Sequence, residues 1–193
     1  MDKRGIINRA LSGTGNNQIL ILGENSDEAL AAETAFDRAL EYMIGEHQWP
    51  FVTKTADLAR KGDSDVAPFT DLFHLPTDAW HMRTVTRKGY TGSIAHLINM
   101  VGIHTCISTG LQAVYVVNPG VDSTWHPTAV EALTTLTEAH LYRGLNEDMD
   151  MGDQREQAAE LKLMKARSRV DQQNPARNAY KRTGRLTRRT RRV

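Results

Sequence analysis

The chain is short of cysteine, aromatic residues and long apolar runs, and each shortage excludes something. Cys106 is the only cysteine, so no intramolecular disulfide forms, and the chain suits a reducing compartment. No run of about 18 apolar residues exists, which excludes a helical membrane span. The opening MDKRGIINRAL is charged and lacks an apolar core with a small-residue cleavage site, so a secretory signal is not expected there. Chemical signatures are equally scarce. The histidines are His47, His74, His81, His96, His104, His126 and His140, and none forms a His-Glu-x-x-His pattern. There is no Cys-x-x-Cys and no Gly-x-Ser-x-Gly. Gly13-x-Gly15 is not followed by Gly-Lys-Ser/Thr, so it does not make a phosphate loop.

Two weak metal patterns remain, and neither closes. His104 and Cys106 alternate on one expected strand face and can reach one ion, but a structural zinc site takes four ligands. Asp148, Asp150 and Asp153 imitate a calcium loop, yet Gly152 in sixth position puts Glu147 first and Met149 third. These acids fit better at the N-terminus of the next helix. The sequence therefore predicts no enzyme, no cofactor and no metal. His140, on an apolar stripe, reads as a core histidine.

What is present is a split in charge. The net charge of +1 conceals a tail, residues 174–193, with eight basic and no acidic side chains. The other 173 residues carry 16 basic and 23 acidic side chains, a net of −7. An acidic body with a cationic end predicts an anionic partner, either nucleic acid or an acidic protein surface. With hydrophobic residues at 40%, the body is too apolar to be disordered throughout, and 193 residues make one domain or one domain with an insertion.

Periodicity places the elements. A short helix is expected over 4–12, followed by turn formers from Gly13 to Asn17. A long helix runs from Ser26 to His47, with Asn25 and Glu28 at capping spacing and Pro50 as its stop. Ala29, Ala32, Phe36, Ala39, Leu40 and Met43 form its apolar stripe. Glu33, Asp37 and Glu41 lie beside that stripe at i,i+4 spacing. They form a solvated acidic face or one turned toward a basic neighbour or a channel. Trp49 and Phe51 read as core anchors at the junction of the helical part and the β-rich part, Trp49 the deeper. Pro50 between them predicts an extended path.

Between 51 and 126, turn residues punctuate β-prone runs at Trp80–Thr86, Ile103–Ser108 and Leu111–Val117. They predict a small, mostly antiparallel sheet, and residues 87–102 show no periodicity. Helical spacing returns at Pro127 with Ala129, Leu133, Leu136 and His140, and Gly144 is the expected stop. The segment NEDMDMGD reads as a turn. Asp153 and Glu156 have capping-box spacing for a last helix with Ala159, Leu163, Ala166 and Val170 on its apolar side.

Five segments, in order, carry a resemblance. They are IINRALSGTGN (6–16), EALAAETAFDRALEYMIGEHQWPFVTKTADL (28–58), FHLPTDAWHMRTV (73–85), LQAVYVVNPGVDSTWHPTAVEALTTLTEAHL (111–141) and MKARSRVDQQ (164–173). The second leads a long helix into a His-x-Trp-x-Phe box and a basic strand. The third carries Leu-Pro-x-Asp before a strand, and the fourth joins a strand to a helix of spaced Ala and Leu. Together, over residues 5–173, the chain resembles the tail tubular protein A family, the head-to-tail adaptor (connector) proteins of short-tailed phages. It departs from that family at IAHLINMVG (94–102), where a valine-rich strand is usual, and at Ser-Gly-Thr-Gly, where Leu-x-Gly is usual.

The resemblance implies an α+β fold. A discontinuous helical bundle (1–52 and 125–172) would carry an inserted small antiparallel β-domain (53–124) and an extended basic C-terminal tail (173–193). It implies a structural virion protein, made in the host cytoplasm and placed at the head–tail interface. There it would form a dodecameric homo-oligomeric ring between portal protein and tail nozzle protein, with a channel passing genomic DNA and no membrane contact. The residues that would dock the tail on the portal are Arg177, Tyr180, Lys181, Arg182, Arg185, Leu186, Arg188, Arg189, Arg191 and Arg192. A second reading, from the charge split alone, is a nucleic-acid-binding structural protein using that tail.

Overall fold

The computed structural model describes residues 2–90, 94–117 and 125–173. The fold is mixed α+β, with four helices and two antiparallel sheets among the described residues. It divides into two compact units, one within Met1–Trp49 and Gly120–Val193 and the other within Pro50–Pro119.

The first unit is helical. Helix α1 (Lys3–Gly13) is capped by Asp2, whose Oδ1 accepts the Gly5 N–H at 3.0 Å. It buries Ile6, Ile7, Ala10 and Leu11 at three- and four-residue steps. Helix α2 (Asp27–Glu46) buries the predicted stripe and, in addition, Ala35 and Ile44. Its cap is Ser26, not Asn25: Ser26 is extended and its Oγ accepts from Ala29 N. The capping spacing of Asn25 and Glu28 is unused, because the first helical residue is Asp27 and Glu28 accepts instead from the Asn17 amide at 3.4 Å.

Helix α3 (Pro127–Gly144) lies against all three other helices, α1, α2 and α4 (Met149–Gln173). A single stripe underestimates it. Ala132, Thr134, Thr135, Thr137 and Ala139 are buried as well as Leu133 and Leu136. Small side chains let three neighbours approach. The buried hydroxyls satisfy themselves on the preceding turn: Thr134 Oγ1 donates to Val130 O at 2.8 Å and Thr137 Oγ1 to Leu133 O at 2.8 Å. Gly144 is the last helical residue rather than the cap; Leu145 follows it, and Glu147, at φ +54°, makes the turn.

Helix α4 begins earlier than Asp153 and Glu156 predict. Asp148 Oδ1 accepts from Met151 N at 2.9 Å and caps it, so part of NEDMDMGD is helix. Asp153 and Glu156 serve the α3–α4 contact instead. Both accept from the Arg143 guanidinium, Asp153 at 2.6 Å. Ala159, Leu163, Ala166 and Val170 are all buried on the face toward α3.

The second unit opens with a 3-10 turn, Pro50–Val52, rather than an extended path. The fixed φ of proline fits that turn as readily as a strand, and the extended residue is His47, three places earlier. Strands β1 (Thr53–Asp57), β4 (Ala79–Arg87) and β7 (Leu111–Val117) form one antiparallel sheet with β7 in the middle. Strands β2 (Arg60–Asp63), β3 (Asp71–Phe73), β6 (Ile103–Thr105) and β5 (His96–Ile98) form a second, in that spatial order. The sequence predicted one sheet. Val85 and Leu111 from the first sheet and Phe73 and Ile103 from the second share one core with Ile94. Gly102 allows the β5–β6 hairpin to press on β3, because a Cβ there would collide with the Phe73 carbonyl oxygen. The expected turn Asn118-Pro119-Gly120 and the whole of 174–193 lie outside the described residues.

Candidate functional site

The predicted acidic stripe on α2 does not face solvent as a unit. Glu33 Oε1 accepts the Gly23 N–H at 2.6 Å, fastening the loop that precedes the helix. Asp37 accepts from Lys3 Nζ of α1 at 2.8 Å. Glu41 is exposed. Two of the three carboxylates therefore work inside the helical unit, one on a backbone amide and one on a cation. The Lys3 cation offsets part of the like-charge conflict that the i,i+4 spacing sets up.

Trp49 is fully buried in the helical unit, and its indole N–H donates to Met43 O at 2.7 Å. His47 meets it edge-on at 4.8 Å between ring centroids, while its own Nε2 lies 3.2 Å from Asp171 Oδ1 of α4. Trp49 thus fastens the end of α2. Phe51, in the other unit, is half-buried.

His104 and Cys106 part company, so the expectation that they share one strand face is corrected. His104 is buried on β6, whereas Cys106 lies past the strand end, exposed, with its thiol on Pro68 O at 3.4 Å. The strand stops at Thr105, so the alternation that would align the two does not continue. Among the described residues no three His, Cys, Asp or Glu side chains converge to hold a metal.

One serine–histidine pair invites a catalytic reading and refuses it. Ser64 Oγ lies 2.8 Å from His104 Nδ1, and Asp65 Oδ1 lies 4.0 Å from the same nitrogen. In a hydrolase the carboxylate and the nucleophile hold opposite nitrogens of the ring. Here both lie on Nδ1, and Nε2 is buried with no hydrogen-bond partner among the described residues. Ser64 Oγ also receives the Val66 N–H at 3.1 Å, so it works as a turn hydroxyl. A nearby cleft of about 350 Å³ is lined by Arg87, Tyr90, Ile94, Ala95, Cys106 and others, and it gathers no acid–base pair.

Electrostatic interactions in the β unit are ties between strands. Asp78 accepts from Lys54 Nζ at 2.9 Å and from the Tyr115 hydroxyl, joining β1, β7 and the start of β4. Those bonds hold the Asp78 carboxyl below the usual range. Burial, then the bond to Asp78, pushes the Tyr115 phenol up. Asp71, on β3, accepts from Thr70 Oγ1 at 2.6 Å and Arg60 Nε at 2.6 Å, which lowers its pKa. In the helical unit, burial lowers the pKa of His140 and so favours the neutral ring of a half-buried core histidine.

What sequence reasoning missed is where apolar side chains face solvent. The α1–α2 loop presents Leu20, Ile21 and Leu22, and α2 adds Leu30. On α4, Leu161 and Met164 stand off the buried stripe. The β5–β6 hairpin exposes Leu97, Ile98, Met100 and Val101. The run QILILGE among turn formers carried the first signal, and apolar residues out of phase with 159, 163, 166 and 170 carried the second. These residues form apolar patches on the surface of the described residues. The portal-docking residues of the tail lie outside the described residues. Among the described residues no helix is long and apolar enough to cross a membrane. No protein-family model matches the chain, and no curated protein is similar to it in sequence.

Proposed function

We propose that the protein is a head-to-tail adaptor of a short-tailed phage, a structural subunit that assembles as a ring between portal and tail nozzle around a channel for DNA. The observation that carries the reading is the order of parts along the chain. Helices, a β unit, two further helices and a purely cationic end follow one another with the family-like segments in sequence. On this reading α1–α4 are the bundle and the β unit its insertion. The tail is an extended arm that orders when its arginines fork onto portal carboxylates. An acidic body repels its copies, so the free subunit is monomeric or weakly associated and the portal acts as template for a dodecamer.

The test is removal of 175–193. The shortened chain should fold, as judged by an unchanged thermal melt, and fail to join portal-containing heads. Normal attachment overturns the reading. The eight cations also favour a second function, non-specific DNA binding. Retardation of duplex DNA by the intact chain, steeply weakened by salt and lost with the tail, supports that one instead.

A further inference from the structure

In the β unit, one cleft joins the ends of both sheets. Arg87 at the close of β4, Tyr90 in the turn after it, Ile94, Thr105 at the close of β6, Cys106 and Ile107 line a cleft of about 350 Å³. Clefts that hold small ligands measure roughly 300–1,000 Å³. The walls are fixed from behind. Thr105 Oγ1 donates to Ala95 O at 3.1 Å, and the His96 ring, with Nδ1 2.8 Å from Ile94 O, ties the same segment. The Tyr90 N–H donates to Arg87 O and the Lys88 N–H to Gly110 O, each at 2.9 Å. Ile94 belongs to the core that both sheets share, and Ile107 packs against that core. The apolar side of the cleft is an extension of it.

The polar side carries one sign of charge. From Ala79 to Val121 the chain has Arg83, Arg87 and Lys88 and no acidic residue. Arg87 is exposed and forms no ion pair among the described residues. The carboxylates beside the far wall are engaged elsewhere. Asp71, opposite Thr105 in the β3–β6 ladder, accepts from Arg60 Nε and Thr70 Oγ1, and Asp63 accepts from the same arginine. Asp65 lies 4.0 Å from His104 Nδ1, and His104 faces away from Thr105 because successive side chains of a strand alternate. Tyr90 adds a ring that is 57% exposed. An unopposed guanidinium beside an apolar wall and an open phenol ring matches a flat ring that carries a negative group close by. The ring meets Tyr90, Ile94 and Ile107, and the guanidinium takes two oxygens of the negative group at once.

We propose that this cleft binds a planar aromatic anion, a ring with a phosphate on a short arm, as a nucleotide presents it. The site uses no residue of the tail, so it neither needs the adaptor reading nor tests it.

Cys106 reports occupancy, because its exposed thiol lines the cleft. The rate at which iodoacetamide alkylates it in the full chain is measured alone and with adenosine monophosphate, adenosine or inorganic phosphate, each at the same millimolar concentration. Protection is read as the ratio of the rates without and with ligand, within each variant. One-site binding gives a ratio of about three when the ligand stands at twice its Kd. The monophosphate should reach such a ratio, while adenosine and phosphate should leave the rate nearly unchanged. Arg87→Gln should abolish the protection with an unchanged thermal melt, and Arg87→Lys should retain part of it. No protection by the monophosphate overturns the proposal. Equal protection by phosphate alone, or protection that survives Arg87→Gln, overturns it too. A single-stranded oligonucleotide that protects more strongly than the monophosphate in the parent, and not in Arg87→Gln, supports the proposal with a nucleic acid strand as the source. Protection by the monophosphate and not by the strand supports it with a free nucleotide as the source.

Discussion

Gly152 of α4 lies against the aliphatic stem of Arg143 of α3, so that a Cβ on Gly152 would stand 2.6 Å from Arg143 Cγ and 3.3 Å from Ala139 O. The guanidinium beyond that stem holds Asp153 and Glu156. Gly152 is helical, and alanine there gains about 1 kcal/mol of helix propensity. The overlap falls on Cγ and a backbone oxygen rather than on the free end of a side chain. Relieving it displaces Arg143 from both carboxylates, an overpacking loss of about 1–3 kcal/mol. The second effect outweighs the first. Gly152→Ala should lower the melting temperature, and a melt at or above the parent's would show that α3 and α4 separate without loss.

Tyr42 and Glu160 join α2 to α4 through a 2.6 Å hydrogen bond. That bond, then burial, pushes the Tyr42 phenol up to about 12. The fold therefore favours the protonated phenol. Its contribution is fully present below the ordinary value of 10.0 and is lost as pH rises through about 12. Ultraviolet titration should show a late phenolate near 12 that disappears in Tyr42→Phe, while the raised phenol of Tyr115 remains. With the ring 41% exposed, that substitution should cost only about 0.5–1 kcal/mol. A titration unchanged by Tyr42→Phe at its late end would remove the bond.

The elements that the sequence made legible are those whose burial has a period. Helices α1, α2 and α3 show three- and four-residue apolar spacing, and β7 shows near-alternating burial. The second sheet was hidden for a physical reason. Strand β2 is Arg-Lys-Gly-Asp, with no apolar residue, and β3 and β5 are three residues each; of this sheet only β6, within the expected run Ile103–Ser108, was legible. They are strands because partners lie beside them, which is information held far along the chain. The start of α4 was misplaced because Asp153 and Glu156 have the spacing of a capping box. Their use by Arg143, ten and thirteen residues away, is a tertiary event. Likewise the acidic stripe looked like one face until Glu33 and Asp37 found separate partners, and nothing local distinguishes them from Glu41.

Trp49 and Phe51 are predicted to respond differently. Trp49 is fully buried and its indole N–H is bonded to the end of α2, so Trp49→Ala removes a large core side chain and a hydrogen bond at about 3–5 kcal/mol. That is enough to unfold much of a marginal helical unit. Phe51 is half-buried, and Phe51→Ala should cost roughly 1–2 kcal/mol. Circular dichroism melts order the two. A Phe51→Ala chain that melts like the parent but no longer assembles would assign that ring to a partner.

Glu138 of α3 is tucked where Gly13 ends α1, close enough that a Cβ on Gly13 would stand 2.7 Å from Glu138 Oε1. Burial raises its pKa above the ordinary 4.5, and the charges of Arg155 and Lys162 offset this only in part. A carboxyl raised in the folded state favours folding below the unfolded value and loses that contribution as pH rises through the folded one. At neutral pH the buried carboxylate therefore opposes folding. Glu138→Gln keeps the shape and removes the charge. It also gives up the 3.5 Å pair with Arg155, whose side chain is exposed enough for water to replace the partner. The variant should be more stable than the parent at pH 7, by no more than about 1 kcal/mol. The difference should close as pH falls and the parent's carboxyl takes up its proton. Denaturant titrations across that range check it. A parent more stable than the variant at pH 7 would mean that the Arg155 pair outweighs the desolvation of Glu138.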